Sequence, residues 1–166
     1  MDRPTLWVGL LQTLGTMASE TEMFLDAFGN LPASPAMSLR GGNAVDDHAP
    51  VPPFDEVFDQ ITPEYFEMYF WGISHLDAES WRFYLPHLLR YALDNIASPE
   101  SNAIDAFLYS LRPPDRIPPR FGALTSAEET AIVAMLDQLA FSEESVWKEP
   151  AMIALEEYWA PGANYR

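Results

Sequence analysis

The chain holds three histidines, His48, His75 and His87, and no cysteine. No two of these histidines stand one helical turn apart, the spacing that lets a helix aim two imidazoles at one metal ion. Without thiols, disulfides, cysteine nucleophiles and cysteine-ligated zinc are excluded. Asp46-Asp47-His48 places three ligating side chains in a row beside Gly41-Gly42. Such a run could hold a divalent cation weakly, but it fits a solvated or capping segment better. No Gly-x-Gly-x-x-Gly, phosphate-loop Gly-Lys-Ser/Thr or Gly-x-Ser-x-Gly occurs, so nucleotide cradles and serine elbows have no support. With 25 acids in the chain, a carboxylate pair suited to proton transfer marks nothing. No catalytic, cofactor-binding or metal-ligating residue is assigned, and no cofactor is expected.

A polar stripe is more informative. On a helix turning about 100° per residue, Glu79, Arg82, His87, Arg90 and Asp94 fall on one side. Arg82 and Arg90 belong to only nine cationic residues in the whole chain. Two roles are open: neutralising local acids such as Glu79 and Asp94, or receiving an anion or carboxylate from a ligand or partner. Arg40, Asp46 and Asp47 lie in the segment with the only adjacent glycines, and Tyr69 and Trp71 close an aromatic run that begins at Tyr65. Together Arg40, Asp46, Asp47, Tyr69, Trp71, Arg82, His87 and Arg90 make up the candidate binding or partner face. Arg112, Arg116 and Arg120 are four apart, but among prolines, where helical stacking does not apply. They are expected to clasp the acidic body and fix the segment that carries them.

The elements that must position these groups read as mostly α, a compact single-domain multi-helix bundle over residues 1–166. Residues 1–18 read as an N-terminal helical extension, with Leu6, Leu10, Leu14 and Met17 expected on one face of a helix over 4–17. A capping box at Ser19–Glu22 starts a short helix that stops at Gly29-Asn30. Residues 30–53, punctuated by five prolines and a Gly-Gly pair, read as a long loop. Thr62-Pro63-Glu64 starts a helix to about Trp71, with Gly72 as terminator. Asp77 caps the central helix, whose stripe Trp81, Leu85, Leu88 and Ala92 faces the core. Pro86 predicts a kink there, or two helices meeting at Leu85-Pro86. Ser98-Pro99-Glu100 signals another start, and residues 112–120 form a Pro-rich connector. Thr125–Glu128 is a capping box for a helix over 126–141, and a last helix begins at Pro150 and ends at Pro161-Gly162.

Leu39-Arg-Gly-Gly-Asn-Ala-Val-Asp-Asp47 and Ala78-Glu-Ser-Trp-Arg-Phe-Tyr-Leu-Pro86 resemble a family of small bacterial proteins of unknown function. Its mark is an aromatic-Arg-aromatic-aromatic-Leu-Pro motif, here Trp81 to Pro86. Glu22 to Leu31, Thr125–Glu129 and Ala154–Trp159 are similar to the same family, while the helices at 4–17 and 62–72 look like additions or divergent parts. The resemblance implies a compact, largely helical protein and brings no catalytic residue with it.

Composition narrows the function. Aromatic residues make up 13% of the chain, too many for a disordered tail. The formal charge of −16 repels nucleic acid and anionic lipid, and it speeds encounter with a basic protein. The uncharged run Pro4–Ser19 is too short and polar to span a membrane, and Asp2 weakens any signal-peptide reading, so a cytoplasmic location is expected. The resulting expectation is a non-enzymatic binding module, most specifically an immunity protein or antitoxin-like inhibitor covering a basic toxin or effector. The alternative is a small-molecule or anion-binding domain or enzyme, with its site between the 40–48 loop and the Arg82/His87/Arg90 face. Self-association is a third use of the aromatic surplus.

Overall fold

The computed structural model describes Glu22 and residues 26–166. The helix read over 4–17 lies outside these residues, as does most of the short helix begun at Ser19. Among the described residues the fold is helical and contains no strand. In chain order come α1 (Leu39–Asp46), α2 (Pro63–Met68), a 3₁₀ helix (Phe70–His75), α3 (Ala78–Asp94), α4 (Asn102–Ser110), α5 (Ser126–Phe141) and α6 (Lys148–Ala154). A π-helical turn at Leu155–Trp159 continues α6.

The central helix α3 is continuous, and it is not divided at Leu85-Pro86. Pro86 lies inside it at a cost of about 3 kcal/mol relative to alanine, offset by burial of both Pro86 and its neighbours. Asp77 caps the helix by accepting from the Ser80 N–H at 2.9 Å. Trp81, Leu85, Leu88 and Ala92 are all buried, as their spacing requires. Trp81 and Trp159 are among the largest fully buried side chains, and both lie close to the ring of Phe121. α5 packs against α3, α6 and the π turn, and α4 fills the space beside the 3₁₀ helix. Thr125 and Glu128 form the capping box read from the sequence, and α5 spans the residues expected.

The last helix starts at Lys148, two residues before the Pro150 of the sequence reading, and three further differences from that reading have identifiable reasons. The stretch 30–53 is not loop throughout: Ser38 caps α1, accepting from the Gly41 N–H at 2.9 Å. The glycines that lower its helix propensity are those that let α1 approach the 3₁₀ helix, since a Cβ on Gly42 would stand 2.9 Å from the Gly72 Cα. The aromatic helix ends as α at Met68 and tightens to 3₁₀ through Gly72, which does not terminate it. α4 begins at Asn102, three residues beyond Pro99. Ser101 caps it, and the Glu67 carboxylate of α2 takes the N–H groups of Asn102 (3.1 Å) and Ala103 (3.3 Å). That second anchor comes from a distant helix end and supplies the negative charge a helix start prefers.

The connector is held against the body. Arg112 makes two 2.7 Å bonds to Glu157, and Arg120 is buried with its Nη2 donating to the carbonyls of Leu76, Ile73 and Ser74. The Asp115 carboxylate folds the segment around itself, accepting from the N–H groups of Arg116, Arg120, Phe121 and Gly122 at 2.8–3.0 Å.

Candidate functional site

The surface around α1, α2 and the 3₁₀ helix is built from a buried ion pair outward. Arg40 reaches from α1 to Asp59 with Nε at 3.0 Å and Nη2 at 2.8 Å, one nitrogen on each carboxylate oxygen. The Asp59 side chain is fully buried. Its remaining capacity is filled by the Asp55 N–H at 2.8 Å and the Tyr65 hydroxyl at 3.0 Å. Burial pushes the Asp59 carboxyl upward, but Arg40, the Asp55 N–H and Tyr65 together outweigh it and hold the carboxyl below its ordinary value. Tyr65 and Tyr84 are both raised, chiefly by burial, and so stay protonated. The Tyr84 hydroxyl accepts from the Leu39 N–H and the Tyr65 hydroxyl from the Arg40 N–H, both at 3.4 Å. With the Asp59 carboxylate filled by internal donors, this cluster is a clasp for the 50–61 segment.

What the clasp holds outward is apolar. Phe58 lies under the Arg40 guanidinium, 5.8 Å from ring centre to Cζ, and remains 68% exposed. Met68, at the end of α2, is 65% exposed, and Trp71, on the 3₁₀ helix, is 58% exposed. Trp71 rests on Phe70 with centroids 4.8 Å apart, which limits its freedom. Tyr69 is half-buried, edge-on to Tyr65. The segments carrying Phe58, Met68 and Trp71 are tied together by the Arg40–Asp59–Tyr65 bonds and by the Gly42–Gly72 approach. Exposed acids Asp46, Asp47, Glu56 and Glu64 belong to the same segments. His75 Nε2 bonds Asp46 at 2.9 Å, and Asp47 accepts from Asn43 Nδ2 at 3.2 Å. Among the described residues no group of three or more His, Asp or Glu side chains is placed to hold a metal ion.

The stripe on α3 divides between neighbours. Arg82 crosses to α5 and pairs with Glu128, whose side chain is fully buried and whose second oxygen accepts the Thr125 N–H at 2.9 Å. Its partner is thus the capping glutamate 46 residues away, and not Glu79. Arg90 makes a long 3.7 Å contact with Asp94 on the exposed surface. His87 is half-buried beside Phe83, and burial lowers its pKa. The 37–39 backbone meets α3 instead at Ser80 and Tyr84, about 200° around the helix from Arg82 in the case of Ser80. Among the described residues no hydrogen bond or ion pair joins residues 40–48 to Arg82, His87 or Arg90. The sequence did not single out Phe58 and Met68, because exposure of an apolar residue depends on which side of a turn packs inward.

These features define a small helical protein whose buried ion pairs are structural and whose aromatic groups are partly left at the surface. The chain belongs to a family of unknown function, DUF6714, whose model matches residues 18–163. That span includes Trp81–Pro86 and the aromatic segment 62–72, while residues 4–17 fall outside it. No curated protein and no solved structure matches the chain. Among the described residues no helix is long and apolar enough to cross a membrane.

Proposed function

We propose that this chain is a bacterial, cytoplasmic protein-binding module that uses the Phe58, Met68 and Trp71 surface to cover a basic protein. Its most specific form is an immunity or antitoxin-like inhibitor of a toxin or effector. The observation that supports this reading is the exposure of Trp71 and Met68 on the short aromatic segment that also buries Tyr65 and Phe66. A tryptophan already stacked on a neighbour offers a large contact area at low entropic cost, which is the property of interface anchors. Covering an exposed side chain of this size contributes about 1.5–3 kcal/mol. The formal charge of −16 selects the sign of the partner and accelerates encounter.

The test is affinity purification from the native host with wild-type and Trp71→Ala baits, followed by co-expression of the captured protein in a sensitive cell. The reading expects a basic partner that is lost with Trp71→Ala, and growth rescued by wild type alone. Equal capture by both baits, or a captured protein that is acidic, overturns it. Concentration-dependent dimerisation lost with Trp71→Ala would overturn it too, assigning the surface to a second copy of this chain.

A further inference from the structure

A cavity of about 400 Å³ opens between the end of α4, the connector and Ser74 of the 3₁₀ helix. Its wall carries Arg112, Arg116 and Arg120, three of only nine cationic residues in the chain. Ser110 and Ser74 add hydroxyls, and Tyr109 and Phe121 add aromatic surface. The volume is in the range of small-molecule sites.

The three arginines differ in how their charge is met. Arg112 is matched by Glu157 through two 2.7 Å bonds, and its guanidinium lies 5.7 Å from the centre of the Tyr109 ring. Arg116 is exposed, and among the described residues its side chain makes no ion pair. Arg120 is 2% exposed and lies over the Trp81 ring, 5.6 Å from its centre. Its bonds among the described residues go only to main-chain carbonyls at the end of the 3₁₀ helix, and its Nε has no partner at all. A buried guanidinium without a bonded carboxylate is costly; burial and the charge of Arg116 lower its pKa to about 10, against the opposing pull of Asp115 and Asp77. Asp115 also lines the cavity, but four backbone N–H groups already occupy its carboxylate. Asp77 also acts on Arg120, so Glu157, Asp115 and Asp77 together balance the three arginines, and what the cavity offers an anion is local: the Arg116 side chain, without an ion pair among the described residues, and the buried Arg120 guanidinium.

From this arrangement we infer that the cavity binds a small organic monoanion, its carboxylate directed to Arg116 and Arg120 and its apolar body set against Tyr109 and Phe121. Two guanidiniums in a lining whose charges otherwise balance suit a monoanionic carboxylate better than a phosphate dianion, and the aromatic wall suits a planar body. None of Phe58, Met68 or Trp71 lines the cavity, although Ser74 on its wall shares the 3₁₀ helix with Trp71 and donates to the Trp71 carbonyl at 3.0 Å.

The test is titration of the intact protein with sodium benzoate at low ionic strength, following arginine Nε–H resonances by NMR. Benzamide, of the same shape but neutral, and inorganic phosphate are titrated in parallel. Saturable one-to-one binding of benzoate that moves the Arg120 Nε–H signal is expected, with benzamide and phosphate each at least tenfold weaker. Arg116→Gln, at an exposed position that leaves the fold intact, should weaken benzoate about tenfold, the loss of one charge-assisted contact. No benzoate binding, equal binding of benzamide or phosphate, or an unchanged affinity in Arg116→Gln overturns the assignment.

Discussion

Gly42 of α1 and Gly72 of the 3₁₀ helix meet backbone to backbone. A Cβ built on Gly42 would stand 2.9 Å from the Gly72 Cα, and one built on Gly72 would stand 2.9 Å from the Leu39 carbonyl carbon. The obstructing atoms are main chain in both directions, so no rotamer change relieves them. Gly42→Ala and Gly72→Ala are each expected to destabilise the protein by at least about 1–3 kcal/mol, the ordinary cost of overpacking. Gly29→Ala, whose Cβ would meet nothing nearer than 3.5 Å, should change stability by less than about 0.5 kcal/mol. Urea unfolding of the three variants checks the contrast.

The Arg82–Glu128 pair should show strong non-additivity. Arg82→Met leaves the buried Glu128 carboxylate with only the Thr125 N–H, a loss of about 3–5 kcal/mol for a broken buried pair. Adding Glu128→Gln removes the stranded charge while keeping an oxygen for the cap, so the double variant should be more stable than Arg82→Met alone. A double-mutant cycle by chemical denaturation measures the coupling.

Stability should fall with acid in two separate windows. Burial places the folded pKa of His87 below the ordinary 6.5, so between those values the unfolded chain binds a proton that the folded chain refuses. Folding therefore weakens as pH drops below 6.5, and the loss levels off once pH is under the folded pKa. His87→Asn should flatten this slope. Asp59 and Asp115 are held below the ordinary 3.8, so their contribution is present above that value and disappears only as pH falls beneath it. Urea midpoints of wild type and His87→Asn across pH 7 to 3 separate the two windows.

Trp71 and Trp81 should respond oppositely to truncation. Trp81 is fully buried and donates its indole N–H to Ser110 at 3.1 Å, so Trp81→Ala should cost about 3–5 kcal/mol of stability. Trp71 is 58% exposed, so Trp71→Ala should unfold within about 0.5 kcal/mol of wild type while losing partner binding. Thermal unfolding and capture of the partner, measured on the same two preparations, distinguish scaffold from interface.

Local signals were readable wherever local chemistry decides the outcome. The Thr125–Glu128 box is self-contained within one helical turn, so α5 was placed at its true limits. The Trp81, Leu85, Leu88 and Ala92 stripe has a single period and a single buried face. α1 was hidden because Gly41-Gly42 opposes helix formation locally, and only the approach to Gly72 explains the glycines. The start of α4 was misplaced because Glu67 satisfies its N–H groups from another element. Arg82 was legible as a charge with a partner to find, but Glu128, 46 residues on, could not be chosen over nearby Glu79. The clasping expected of the connector arginines holds for Arg112, which pairs with Glu157; Arg120 fixes the connector through main-chain carbonyls instead, and among the described residues Arg116 makes no ion pair. That the same arginines enclose a cavity depends on how the prolines turn the chain, which spacing does not encode.

The most direct test of the protein-binding reading is site-specific photo-crosslinking in the native host. A photoreactive amino acid is placed at position 71 and, as a control, at position 141, where Phe141 is equally well exposed on α5. The account predicts one abundant adduct from position 71 to a basic protein, absent from position 141 and abolished by Phe58→Ala with Met68→Ala. No adduct from position 71, or the same adducts from both positions, would contradict it.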